Sequence, residues 1–317
     1  MENNAIASTY KSQDTEEWLD IVFNRPIGYR WALFFNRFDI HPNTVTVFSM
    51  ILGALSGVMF YFDADTPKGF WLNVCGVVLL TWANFYDSAD GQLARMTGKK
   101  TPLGRILDGA SSDVWFIPIY FFISLRLYDK TIPLTDCEWG MWSFVLSAVA
   151  GFGAHTYECQ LADYYRNIHL FFIKGKEGSE FDHYAQQKEK FDNMTFKGHV
   201  IEKVFQWFYV NYTHTQELAS PQFQRMWKAL KKAYGDDIPQ EFRDRFRAAS
   251  LPLMKWTNIL TFNTRAIVLY VACLVDEPWI YPVFELTVLL VIYIYMRNGH
   301  ETFSRRFADE LEEITTK

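Results

Sequence analysis

The chain has 317 residues, half of them hydrophobic and 18% aromatic, with a formal net charge of -5. No Lys/Arg run marks a nucleic-acid partner, so none is expected. Cys75, Cys137, Cys159 and Cys273 form no CxxC pair and the histidines no HExxH spacing, which argues against a disulfide framework or a zinc site.

The mean hydropathy of -0.07 averages apolar runs with polar stretches between them. The opening stretch, Met1 to Asp20, is polar and acidic and does not read as a cleavable leader. From Thr15 to Asp39, Trp18, Ile21, Val22, Ile27, Trp31, Phe34 and Phe35 recur at near-helical spacing between charges. That pattern predicts one or two amphipathic helices lying on a membrane face. Six apolar segments follow, near Thr44–Phe62, Phe70–Tyr86, Val114–Leu127, Gly140–Tyr157, Thr257–Val275 and Trp279–Met296. Each has roughly the length that crosses a ~30 Å hydrocarbon core as a helix, the third by extending back through Asp108. Gly53 and Gly57 in the first span are read as small residues filling a tight helix crossing.

The expected fold is therefore all-α: a six-transmembrane-helix bundle with an N-terminal interfacial amphipathic helix. A helical cytosolic insert lies between spans 4 and 5. The expected parts are a cytosolic N-terminus and interfacial helix (1–43), spans 1–4 (44–159), the insert (160–256), spans 5 and 6 (257–297) and a cytosolic tail (298–317). With the N-terminus inside, every Lys and Arg except Lys68, Arg126, Lys130 and Arg265 falls on an inner segment, which fixes this orientation. Within the insert, Phe205–Tyr212 is rich in aromatics and Gln222–Tyr234 reads as a basic helix.

The second span ends in an aspartate-rich stretch. Asp87 and Asp90 are three residues apart, so a helix sets both carboxylates on one face. Gly91 and Ala94 keep the adjoining surface small. Asp108 follows Gly104 by four residues, and the link between, with Gly98, Lys99, Lys100 and Pro102, has the composition of a tight turn. The two helices then run antiparallel and their carboxylates share a cleft. Converging carboxylates at a membrane boundary repel one another, and hard divalent cations such as Mg²⁺ or Mn²⁺ relieve this.

This stretch resembles the signature of the CDP-alcohol phosphotransferase (phosphatidyltransferase) family, D-x2-D-G-x2-A-R-x8-G-x3-D-x3-D. Asp87, Asp90, Gly91, Ala94, Arg95, Gly104 and Asp108 match it residue for residue. His41-Pro42-Asn43-x-Val45-Thr46 is similar to the family's xPNxVT at the start of the first span. The resemblance covers the spans but not the insert. It implies an enzyme that displaces CMP from a CDP-linked lipid substrate with an alcohol hydroxyl on the cytosolic side. Asp87, Asp90, Asp108 and Asp113 would hold a two-metal centre of Mg²⁺ or Mn²⁺. Asp90, Gly91, Ala94, Arg95 and Gly104 would hold the CDP moiety, and Asp113 would be the general base. A homodimer in a membrane, of bacterial inner or cytoplasmic type, is also implied.

One position departs from the signature. Its last acid should stand four residues after Asp108, but Ser112 is there and the acid is Asp113. On a regular helix that leaves Asp113 about 140° from Asp108. A one-residue π-bulge across Gly109-Ala-Ser-Ser would return Asp113 to the cleft, and this is the expected arrangement. Two others stand beside it: Ser112 takes the place, or the protein binds nucleotide without turnover.

Arg265, within the fifth span with Thr261 and Asn258 on its face, and Arg166, just past the fourth, are candidate acceptor ligands. For Arg265 a buried pair with Glu285 is the competing reading. His155 and Glu158 are polar residues without an assigned role. The expected function is transfer of a phosphatidyl group from CDP-diacylglycerol to a small polar alcohol, with a lean to inositol or inositol phosphate. The alternative is CDP-ethanolamine/choline-type transfer to a lipid alcohol. From other classes come a divalent-cation transporter and a non-catalytic membrane scaffold.

Overall fold

A computed structural model describes residues 12, 14–99, 101–195 and 200–316, with the side chains of residues 102, 105, 106, 108, 110, 112, 177, 201 and 316 outside that description. The described chain is helical, with one isolated bridge between Thr131 and Glu138. A π turn at Asp20–Asn24 leads into α1 (Arg25–Arg37), followed by α2 (Pro42–Met59), α3 (Pro67–Thr97) and α4 (Pro102–Leu127). Next come α5 (Met141–Ala148) with a π turn at Val149–His155, α6 (Thr156–Lys174), α7 (Tyr184–Asn193), α8 (Val200–Ala219) and α9 (Pro221–Tyr234). The chain closes with α10 (Gln240–Ile259), α11 (Phe262–Leu274), α12 (Ile280–Phe284) with a π turn at Glu285–Leu289, and α13 (Leu290–Thr316).

Three of these helices start by one device. His41, Thr66 and Thr101 each cap the helix that follows, accepting a backbone N–H with a side-chain atom, and each is followed by proline. The cap satisfies an otherwise orphaned donor, and proline has no N–H to orphan at that position.

The chain divides into two compact units. The first takes in Glu16–Thr156 and Phe262–Val288. Its core gathers Phe60, Leu80, Trp115, Phe116, Ile119, Ile123, Leu269 and Tyr281. Helices α2 and α4 touch backbone to backbone in it. A β-carbon on Gly53 would lie 2.0 Å from Trp115 Cδ1, and one on Gly57 would lie 2.8 Å from the Ile119 nitrogen. The tight crossing expected of this glycine pair is therefore what the fold uses. Outward, α2, α3 and α4 present Phe48, Ile51, Leu55, Val78, Trp82, Ile117 and Phe121, an apolar exterior suited to lipid.

Four stretches are long and apolar enough to cross a membrane: Pro42–Met59, Pro67–Thr97, Gln240–Leu274 and Ile280–Thr315. They mark an integral membrane protein. The expected third and fourth spans fall on α4 and on α5 with its π turn. Both are helical, and neither is among those four stretches.

The second unit comprises Tyr157–Thr261, Leu289–Lys317 and the short N-terminal segment Lys11–Thr15. Its core is aromatic, with Phe172 stacked on Phe246 at 3.8 Å and Tyr165 on His300 at 3.8 Å. Asp14 anchors the N-terminal segment here, accepting from Arg247 Nε at 2.7 Å and lying 3.2 Å from His169 Nε2.

Candidate active site

The aspartate stretch ends α3, and the helices packed around that end hold its carboxylates. Asp90 is 4% exposed and its Oδ2 accepts from the Thr46 hydroxyl of α2 at 2.5 Å. Asp87 is half-buried, and its Oδ1 accepts from the buried Ser111 hydroxyl of α4 at 2.9 Å. The antiparallel pairing read from the short link is thus realised by a direct bond between α3 and α4. The link is pinned as well. Thr101 Oγ1 accepts the Gly104 N–H at 2.9 Å, and Asn43 Nδ2 reaches the same hydroxyl at 3.3 Å. A β-carbon on Gly104 would sit 2.7 Å from Asn43 Oδ1, so a side chain there would push the Asn43 amide aside.

The remaining motif residues line the same end of α3. Gly91, Ala94 and Arg95 are each half-buried. A side chain at Gly91 would meet Arg95 Nη1 at 3.3 Å, so the guanidinium lies beside the bare backbone. Gln92 braces the helix from behind, donating to the Arg25 carbonyl and to Ser88 Oγ at 3.1 Å each. Asp108 stands on α4, but its side chain lies outside the described residues.

The fourth acid departs from expectation. Helix α4 is α-helical without a break from Pro102 to Leu127, so the expected π-bulge is absent. At five residues' spacing, Asp113 falls about 140° round the helix from Asp108, and its side chain is exposed. Ser112 keeps the i+4 register with Asp108.

Arg265 is also placed differently from an acceptor ligand. It is fully buried in the first unit and paired with Glu285, the partner the sequence offered as the competing reading. Glu285 also accepts from the hydroxyls of Tyr120 and Tyr281, the latter at 2.7 Å, and its Oε1 lies 3.0 Å from His155 Nδ1. This cluster draws on four separate helical segments, which is why pattern reading did not assemble it. Arg166 belongs to the second unit, where its Nη2 donates to Asn258 Oδ1 at 3.1 Å.

Among the described residues no group of three or more His, Cys, Asp or Glu gathers as a metal site. Asp87 and Asp90, with the hydroxyls of Ser111 and Thr46, nonetheless form an all-oxygen donor set on adjoining helices. That chemistry fits a hard divalent cation.

The CDP-alcohol phosphatidyltransferase family model matches residues 39–168, which runs from the start of α2 through the aspartate stretch into α6. Residues 39–168 are a CDP-alcohol phosphatidyltransferase domain. Two relatives from Arabidopsis thaliana are similar over 130 residues. Choline/ethanolaminephosphotransferase 2 is 27% identical, over 38% of this chain and 32% of its own. Choline/ethanolaminephosphotransferase 1 is 25% identical, over 39% of this chain and 31% of its own. The matches thus span about a third of those relatives' length. No solved structure matches the chain. Within the CDP-alcohol phosphatidyltransferase domain, the hydroxyl bonds to Asp87 and Asp90 come from residues the signature does not specify at its own positions. Thr46 comes from the PNxVT stretch, and Ser111 lies between the last two acids.

Proposed function

We propose that the protein is a CDP-alcohol phosphotransferase of phospholipid synthesis, in which an alcohol hydroxyl attacks the phosphorus of a CDP-linked donor and CMP leaves. The observation that carries this reading is the convergence of Asp87 and Asp90 on one face of α3, each held by a hydroxyl from a neighbouring helix. Asp87, Asp90 and Asp108 would hold Mg²⁺ or Mn²⁺. When bound, such ions neutralise the donor's pyrophosphate and lower the proton affinity of the attacking hydroxyl.

The chain's own residues supply position. Thr46 and Ser111 fix the carboxylate rotamers before substrate arrives, and such preorganisation avoids reorganisation during the reaction. Arg95, beside Gly91, offers a cation to the cytidine phosphate, while the bare backbone at Gly91 and Gly104 admits the nucleotide. The acceptor's proton passes to the departing CMP phosphate, since Asp113 points round the helix from Asp108. A groove of about 460 Å³ between α2 and α3, lined by Phe48, Ile51, Leu52, Val78, Leu79, Trp82 and Tyr86, offers an acyl chain a place next to Asp87.

Two observations support one direction of transfer. The lean toward an inositol-type acceptor drew on Arg265 and Arg166, and the Arg265 guanidinium is committed to Glu285. Both relatives are named for choline and ethanolamine. Transfer of a phospho-amino-alcohol from its CDP ester to a lipid alcohol is therefore the reading argued for. Phosphatidyl transfer from CDP-diacylglycerol to a small alcohol stands second. A cytosol-facing site and a homodimer accompany either reading.

One assay separates these possibilities. The purified protein in lipid nanodiscs is given CDP-ethanolamine or CDP-choline with diacylglycerol, or CDP-diacylglycerol with a panel of alcohols including inositol, and divalent-dependent CMP release is measured. Release in the first set is expected. Release confined to the second reverses the direction, and no release in either overturns the enzymatic reading.

A further inference from the structure

Helix α8 is built inside out. Val200, Val204, Trp207 and Phe208 fall at i, i+4, i+7 and i+8, one stripe on a helix, and all four are exposed, at 45–58%. The face turned into the second unit is largely polar. Beside Val210, Gln206, Thr213 and Gln216 are buried, and each is satisfied. Gln206 Nε2 donates to Gln187 Oε1 at 3.0 Å, Gln216 Nε2 to the Gln160 carbonyl at 2.9 Å, and Thr213 Oγ1 to the Tyr209 carbonyl at 3.0 Å. Tyr209 and Tyr212 add bonds to Asp182 and Asp163 at 2.8 and 2.9 Å. No Lys, Arg, Asp or Glu occurs between Lys203 and Glu217. A helix facing water carries the reverse pattern, apolar inward and charged outward.

We propose that the outward face of α8 lies in the lipid interface of the membrane that the chain spans. Three observations select lipid as the occupant. The second unit itself contains membrane-crossing sequence, since the start of α13 within it exposes Val291, Ile294 and Tyr295 to the surroundings, so the bilayer is within its reach. The stripe centres on Trp207 and Phe208, the residue types that settle at the headgroup boundary. Its four side chains expose on the order of 400 Å², about half of what each partner gives to a stable protein interface, which disfavours a second copy as the occupant. Gln206, Asn211, Thr213 and Gln216 make α8 too polar to cross, so it lies in the plane of the interface.

The test is spin-label accessibility on the full chain in phosphatidylcholine–phosphatidylglycerol nanodiscs, with Cys75, Cys137 and Cys159 replaced by alanine. Labels are attached at Val204→Cys and Trp207→Cys, with Lys228→Cys, exposed on α9, as the water-facing reference. At the two α8 positions molecular oxygen is expected to relax the label severalfold more than a nickel chelate, with the order reversed at Lys228→Cys. Nickel dominating at α8 places the face in water and overturns the proposal. Low access to both reagents with spin–spin broadening places a second copy there and overturns it equally. Val204→Cys is a small change on an exposed face, so the outcome does not hinge on whether Trp207→Cys folds.

Discussion

The Ser111 hydroxyl donates to Asp87 Oδ1 at 2.9 Å, joining the two helices that carry the halves of the aspartate motif. Ser111 is 3% exposed, so its removal leaves the carboxylate without that donor rather than admitting water in its place. Ser111→Ala is expected to lower divalent-dependent CMP release about tenfold, the effect of one charge-assisted hydrogen bond on a positioned carboxylate. The apparent metal affinity, read from the Mn²⁺ dependence of the rate, should weaken with it. Ser111→Thr, which restores the hydroxyl, should recover most of both. Equal loss in Ala and Thr variants would show that packing, not the bond, matters.

Asp113 separates two readings of the last acid. On an unbroken α4 it points away from Asp108, so Asp113→Asn is expected to keep turnover within about tenfold of the parent. Asp90→Asn, which removes a buried carboxylate held by Thr46, should cost about 10³-fold or more, because several kcal/mol of charge stabilisation goes with it. Loss of that size in Asp113→Asn would mean that α4 rearranges on binding substrate.

The cleft was legible because it rests on local spacing. Asp87 and Asp90 share a helix face at i+3, the Gly98–Pro102 link forces an antiparallel return, and Gly53 and Gly57 signal a close crossing. The continuity of α4 was not legible, since small residues such as Gly109 and Ser111 permit a bulge without requiring one. The Glu285 cluster was only half visible: Arg265 named one partner, but Tyr120, His155 and Tyr281 come from other segments and meet through tertiary packing. In α8 the sequence showed only that Phe205–Tyr212 is rich in aromatic residues. Which side of the helix faced the protein was a property of the surroundings, with Gln187 and Asp163 supplying partners for the polar side.

At the end of the bundle away from the aspartates, Arg126 is buried and bonds four groups at once. It donates to Asp276 Oδ1 at 2.5 Å, to Asn73 Oδ1 and the Phe60 carbonyl at 2.9 Å, and to the Cys273 carbonyl at 3.1 Å. Arg126→Met fits the volume but strands these acceptors, and breaking a buried pair on one side costs about 3 kcal/mol. Thermal unfolding in nanodiscs should report a clearly lower Tm. Burial works against the charge on Asp276, yet hydrogen bonds from Lys130 and Arg126 more than offset it and hold its carboxyl below the usual range. Its contribution is then complete above the unfolded value of about 3.9 and lost only as pH falls through the lower folded one. The Arg126→Met deficit should therefore be unchanged between pH 7.5 and pH 5.5.

His169 makes the second unit sensitive in the pH window where Asp276 is not. Its Nδ1 lies 2.6 Å from Ser250 Oγ, and its Nε2 faces Asp14, which Arg247 also holds. Burial pushes the imidazole below its ordinary value. The bond and charge of Asp14 raise it only in part, and Arg247 adds to the lowering. Below about pH 6.5 the unfolded chain therefore binds more protons than the folded one. The stabilisation is complete above that pH and declines as pH falls toward the folded value. Unfolding of the full chain should occur at lower temperature at pH 5.5 than at pH 7.5, and His169→Asn, which keeps a polar group beside Ser250 without the titration, should flatten that slope. An unchanged slope in His169→Asn would assign the pH dependence to other groups.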